Sequence, residues 1–133
     1  MRVIIFSILV LLMATSCKTK KGTSSNAKLE NSSWQVEVLD DSKPKSTQTF
    51  IIEGTTVKGK AACNGFGGKL ELKEKNGIKI SDVMGTKMAC SNLSEEQLYF
   101  SNLRNTTSYK LIKGELFFYN KENKQLVKFV KFN

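Results

Sequence analysis

The sequence predicts an α+β, mostly β domain: a strongly curved antiparallel sheet or small open barrel of about seven to eight short strands, with one amphipathic helix over residues 92–105 packed on it. Three observations carry this expectation. Short runs of alternating apolar and polar residues recur with turn residues between them. One stretch, Asn92 to Asn105, replaces that period of two with a helical one. Between two of the alternating runs lies Lys58–Lys69, K-G-K-A-A-C-N-G-F-G-G-K, which places three of the nine glycines within Cys63–Gly68.

Ser33–Leu39 alternates Trp34, Val36 and Val38 inward against Gln35 and Glu37 outward, the pattern of a half-buried strand. Asp40–Ser46, with the single proline Pro44, is a loop, and Gln48–Glu53 is the second strand. Gly54-Thr55-Thr56 turns the chain into Val57–Cys63. The glycine-rich stretch that follows reads as a tight irregular corner, because glycine is needed where φ is positive or where a Cβ has no room. It has neither the phosphate-loop spacing nor that of a dinucleotide loop. Lys69–Glu74 turns Leu70 and Leu72 to one face, Asn76-Gly77 signals a hairpin, and Ile78–Val83 is the returning strand.

In the helix, Asn92 and Ser94 are N-cap candidates with Glu95 and Gln97 three residues on, and Leu93, Tyr99, Phe100 and Leu103 form its apolar side. Ser108–Ile112 and Glu115–Asn120 flank the two-residue turn Lys113-Gly114, and Gln125–Phe132 closes the fold.

The first residues point to export. Arg2 and the apolar run Val3–Ala14 have the charge and length of a signal peptide, too short for a bilayer span. Ala14-Thr15-Ser16-Cys17 resembles a bacterial lipobox, with cleavage after residue 16 and a diacylglycerol on Cys17. Residues 17–28 then form the lipidated cysteine and a basic, flexible tether, and 29–133 the folded domain. Several acyl chains, at about 0.8 kcal/mol per buried methylene, anchor a protein stably. The expected location is therefore the cell envelope, lipid-anchored, on the outer membrane facing the periplasm or the surface, with the membrane itself as one partner.

The net charge of +9 falls to +8 without Arg2 and to +4 without the four tether lysines. The remaining lysines are scattered singly along strands, unlike the concentrated arginine and aromatic faces of nucleic-acid sites, so no nucleic-acid partner is expected. With no histidine there is no Ser-His-Asp or Cys-His system and no usual metal triad. Of the twelve acids only Asp82 lies near a motif. The residues thus predict no enzyme, no metal and no cofactor.

The chain resembles the META domain, the HslJ-like family of bacterial lipoproteins. Trp34 matches the tryptophan of the family's early strand, and Lys58–Gly68 matches G-x-x-G-C-N-x-(F/Y)-x-G through Cys63, Asn64, Gly65, Phe66 and Gly68. Thr86, Lys87, Met88, Ala89 and Cys90 match T-(R/K)-M-A-C, and Leu116–Phe129 has the form of the terminal hairpin. Ala62 departs from the pattern, which has glycine before Cys-Asn. The resemblance implies a curved sheet with one helix and a link to heat or antibiotic stress without an agreed molecular activity.

Cys63 and Cys90 remain once Cys17 is lipidated. In an oxidising compartment an even pair favours a disulfide, and both family motifs meet at these residues; a buried reduced pair and a redox-active pair are the other readings. The functional expectation is a non-enzymatic, monomeric envelope module meeting a protein partner. Two alternatives stand beside it. One is a barrel binding a lipid or small ligand; the other is a protease-inhibitor-like module whose exposed loop would be Asn64–Gly68.

Overall fold

The computed structural model describes residues 28–132. Cys17, the lipobox-like segment and all of the tether before Lys28 lie outside the described residues. The chain runs β1 (Ser33–Leu39), β2 (Thr49–Glu53), β3 (Thr56–Lys60), β4 (Gly65–Leu72), β5 (Ile78–Gly85), α1 (Leu93–Asn105), β6 (Ser108–Ile112), β7 (Glu115–Tyr119) and β8 (Gln125–Lys131). All eight strands form one antiparallel sheet in the order β5-β4-β3-β2-β1-β8-β7-β6. Two meanders, β1 to β5 and β6 to β8, are joined where β1 pairs with β8. The sheet curls into a half-barrel, as the alternation predicts. Its two edge strands are connected in sequence by α1, and their starts touch through the Gly77–Ser108 bridge and an Ile78 N–H to Thr107 carbonyl bond of 3.0 Å.

The concave side is filled by side chains. Trp34, Phe50, Phe118, Phe129, Tyr99 and Leu103 are each within 1 % of full burial. Phe50 meets Phe118 edge-on at 5.4 Å and stacks on Phe66 at 6.5 Å, and Phe66 meets Tyr99 edge-on at 5.7 Å. The Trp34 indole N–H donates to Ser32 Oγ at 2.7 Å, so the largest core ring is also satisfied as a donor. Lysines on the outer face pair across strands, as Lys58 with Glu53 and Lys128 with both Glu37 and Glu115.

Several boundaries differ from the sequence expectation, each for a local reason. In β1 a bulge between Val36 and Val38 turns Leu39 inward and leaves Val38 half-buried. The third strand stops at Lys60, because Ala61 N–H closes a turn on the Asn64 carbonyl at 2.8 Å and the Cys63 N–H is drawn to the helix. The glycines lie inside β4, and none in the corner takes a positive φ; that conformation belongs to Gly54 and Gly114. β4 and β5 form the hairpin that Asn76-Gly77 signals, but its connection is longer than those two residues: a tight turn over Glu74–Asn76 with positive φ at Lys75 and Asn76.

Close approach is what β3 needs glycine for. A Cβ on Gly59 would sit 2.1 Å from the Thr49 carbonyl oxygen and 2.9 Å from the Phe66 ring. Gly68 faces the bulge of β5, where Asp82 takes φ 52°. The strand neighbours and the Phe66 ring together leave Gly59 no room to relax. Gly59→Ala is therefore expected to lower unfolding stability by about 1–3 kcal/mol, as overpacking does. Urea denaturation measures it, and a change within about 0.5 kcal/mol of zero, the range of surface substitutions, would count against this account.

Candidate functional site

The corner Ala61–Asn64 and the segment Thr86–Cys90 meet beside the first turn of α1. The amphipathic pattern seats α1 by Tyr99 and Leu103, and the same face carries Glu96 at i−3 and i−7 from them. Glu96 is 5 % exposed, and its carboxylate is engaged on both oxygens. Oε2 accepts the backbone N–H of Cys63 at 2.9 Å and of Asn64 at 2.7 Å, while Oε1 accepts Asn64 Nδ2 at 2.7 Å. Burial alone pushes the Glu96 carboxyl up. The Asn64 N–H and amide and the Cys63 N–H outweigh it, and the net position is below the ordinary value.

Asn64, 1 % exposed, passes this order on to the neighbouring segment. Its Oδ1 accepts the Thr86 hydroxyl at 2.8 Å and the Met88 N–H at 2.8 Å; its Nδ2 also reaches the Met88 carbonyl at 3.4 Å. The carboxylate on one side and the two donors on the other fix which way the amide points. Thr86 N–H adds a 3.0 Å bond to the Gly65 carbonyl. A disulfide joins Cys63 to Cys90, with the Cα atoms 6.1 Å apart.

The helix start holds a second loop in the same manner. Glu95 accepts Lys45 N–H at 2.9 Å, Ser46 N–H at 3.3 Å and Gln48 Nε2 at 2.7 Å. Asn92 occupies the N-cap position, yet its side chain makes no cap bond; Nδ2 goes to the Ala62 carbonyl at 2.7 Å and to Ser46 Oγ at 2.8 Å. The expected capping box is thus replaced by tertiary bonds. The helix has spent its first-turn polar residues on the loops around it.

The predicted site residues separate into two groups. Cys63, Asn64, Gly65, Thr86, Lys87, Met88 and Cys90 come together here. Trp34, Phe66 and Gly68 belong to the packed sheet. Asn64 and Phe66 are buried, so Asn64–Gly68 is not an exposed loop; the exposed segment is Thr86–Ala89, with Met88 57 % exposed. Asp82, the acid singled out from sequence, is a surface partner of Lys69 at 2.7 Å. Glu96 escaped the sequence reading because acids early in a helix are expected to be solvated; its position on the Tyr99/Leu103 face was the available signal.

Chemically the cluster positions backbone. Its buried carboxylate is saturated by donors and has no proton to move. Among the described residues no three His, Cys, Asp or Glu come together in a metal-binding group. Hollows of 260 to 510 Å³ lie on the surface, bordered largely by exposed residues such as Lys69, Asp82 and Met84.

A family model described as the META domain matches residues 27–132. The chain belongs to the META domain family. META domains are small modules not known as enzymes. Solved structures share the fold at low identity. A protein from Burkholderia xenovorans determined by NMR has a TM-score of 0.65 at 17 % identity, covering 82 % of this chain and 87 % of that one. A second NMR structure gives 0.63 at 16 %, covering 78 % and 92 %. The crystal structure of a DUF4847 family protein from Bacteroides vulgatus gives 0.56 at 15 %, covering 79 % and 96 %. No curated protein matches. At these identities the likeness establishes how the META chain folds.

Proposed function

We propose that this META domain is a non-enzymatic binding module of the cell envelope, tethered by a lipid on Cys17 and acting in stress tolerance through contact with a protein partner. The observation that carries the contact reading is the use made of Glu96 and Asn64. Two buried polar side chains, costly to bury unless fully bonded, are spent on holding an exposed segment in place. Rigid display of a surface loop serves recognition, since ordering it beforehand removes that entropy from the binding step. The concave side of the sheet is filled by aromatic rings, which favours packing over a ligand cavity.

Two measurements test the reading. Cys17→Ser in the full-length chain is expected to move the protein from the membrane to the soluble fraction; retention in the membrane would remove the anchor from the proposal. Crosslinking in intact cells is expected to trap a discrete protein partner through Lys87. A chain that crosslinks to nothing, in cells whose stress tolerance is unchanged by its deletion, would overturn the contact role.

A further inference from the structure

Thr86, Lys87, Met88 and Ala89 are consecutive exposed residues outside any strand or helix, and none takes a left-handed φ. A segment of this kind would ordinarily be mobile. Here Thr86 is held by Gly65 and Asn64, Met88 by Asn64 at both its N–H and its carbonyl, and the following Cys90 by the disulfide. Lys87 stands between the two residues that Asn64 grips. Among the described residues its ammonium has no ion pair or hydrogen bond, whereas Lys58, Lys69 and Lys128 on the strands each have one. The scaffold grips the chain on either side of one residue and leaves that residue free.

We propose that Thr86–Ala89 is a substrate-mimicking loop for a serine endopeptidase with an acidic pocket for lysine, presenting the Lys87–Met88 peptide bond as the bond attacked. This rests on the protein-contact reading and names the class of partner. A segment outside any helix and without positive φ can straighten along the edge of a protease cleft, while the Lys87 side chain supplies the cation for the pocket.

Attack by the serine oxygen on the Lys87 carbonyl carbon forms an ester and breaks the Lys87–Met88 bond, with the serine proton passing to the Met88 nitrogen. Neither new end leaves. Asn64 and Gly65 hold the Thr86 side, and Asn64 and the Cys63–Cys90 bridge hold the Met88 side. The deprotonated amine therefore remains against the acyl carbon, where well-oriented intramolecular groups act at effective concentrations of roughly 10⁵ M or more. Its return attack remakes the peptide bond and frees the serine, so the loop occupies the protease instead of being consumed.

Trypsin is the probe, assayed against a small lysyl substrate with the purified full chain as inhibitor. The expected result is inhibition below about 1 μM, with slow cleavage confined to Lys87–Met88 by mass spectrometry. Lys87→Ala is expected to weaken inhibition by about 100-fold, the scale of a binding hot spot, with thermal unfolding unchanged because the side chain is exposed and makes no hydrogen bond or ion pair among the described residues. Lys87→Phe is expected to transfer inhibition to chymotrypsin. No inhibition at about 10 μM, inhibition indifferent to Lys87→Ala, or cleavage as fast as in a free peptide of residues 84–92 would each overturn the proposal. A crosslinked envelope partner that is not a peptidase would do so too, while leaving the contact role intact.

Discussion

Glu96→Ala is expected to destabilise the domain by about 3–5 kcal/mol, because it leaves buried donors unpaired at about 1–3 kcal/mol each. The loss exceeds that of one ordinary hydrogen bond because three donors are orphaned at once: the N–H groups of Cys63 and Asn64 and the Asn64 amide. Neither backbone donor can turn elsewhere without undoing the corner, and the Asn64 amide cannot flip because Thr86 and Met88 already donate to its oxygen. Chemical denaturation of variant and wild type measures the difference. A cost below about 1 kcal/mol, that of a typical exposed pair, would show that the carboxylate is not the keystone of the corner.

The same carboxylate sets a sign for pH dependence. Its folded value lies below the ordinary 4.5, so the native state favours the ionised form. The stability it contributes is fully present above the unfolded value and is lost as pH falls through the lower, folded one. Asn64→Asp reverses that sign. The new carboxylate would stand where Nδ2 now lies 2.7 Å from Glu96 Oε1, and two carboxylates at that distance cannot both remain ionised. The pair's folded titration moves up, so this variant is expected to gain stability as pH drops from 7 towards 5, while the wild type does not. Thermal melts across that interval decide it, and parallel curves would contradict the assigned bonding.

The second large effect is expected from the bridge. Cys63 and Cys90 are separated by 27 residues, and closing a loop of that length contributes about 3.5 kcal/mol on the chain-entropy model. For a domain of this size that corresponds to roughly 15 °C in melting temperature. Replacing both cysteines by alanine, or reducing the wild type, should produce the same downward shift, since neither route leaves an unpaired charge behind. If oxidised and reduced wild type melted within about 3 °C of one another, the bridge would not be a main support of the fold. The Asn64 bonds to Met88 are independent of the bridge, so hydrogen exchange at the Met88 amide should remain slow after reduction.

Most strands were legible because each needs only a local alternation. Ser108–Ile112, the Lys113-Gly114 turn and the strand starting at Glu115 appear as the residues imply, with Lys113 at φ 51° and Gly114 at φ 80° in the turn. The helix was legible from its change of period. Gly65–Gly68 misled for a definite reason. Glycine in a sequence marks either a turn or a strand, sometimes a crowded one, and at Gly68 only the facing β5 bulge, with the Ser81 carbonyl 3.0 Å from where a Cβ would sit, tells which. The Asn92 cap misled similarly, since a residue able to cap its own helix can bond a loop 46 residues away in sequence.

Composition and pattern alone settled the class of fold and the absence of histidine, while the motif residues came from the family resemblance, and of these only Cys63, Asn64, Gly65, Thr86, Lys87, Met88 and Cys90 gather at one corner. The first two follow from residue type and from periods of two and 3.6, which need no knowledge of distant contacts. What only the folded chain decided was the division of labour: Glu96 as the buried anchor, Asn64 as the grip, and Thr86–Ala89 as the exposed loop. A helix residue 32 positions from the corner becomes its hydrogen-bond partner only when the sheet has curled and α1 has seated across its edge. Hydrogen bonds act over about 3 Å, and a distance in space of that size leaves no periodic trace along the chain.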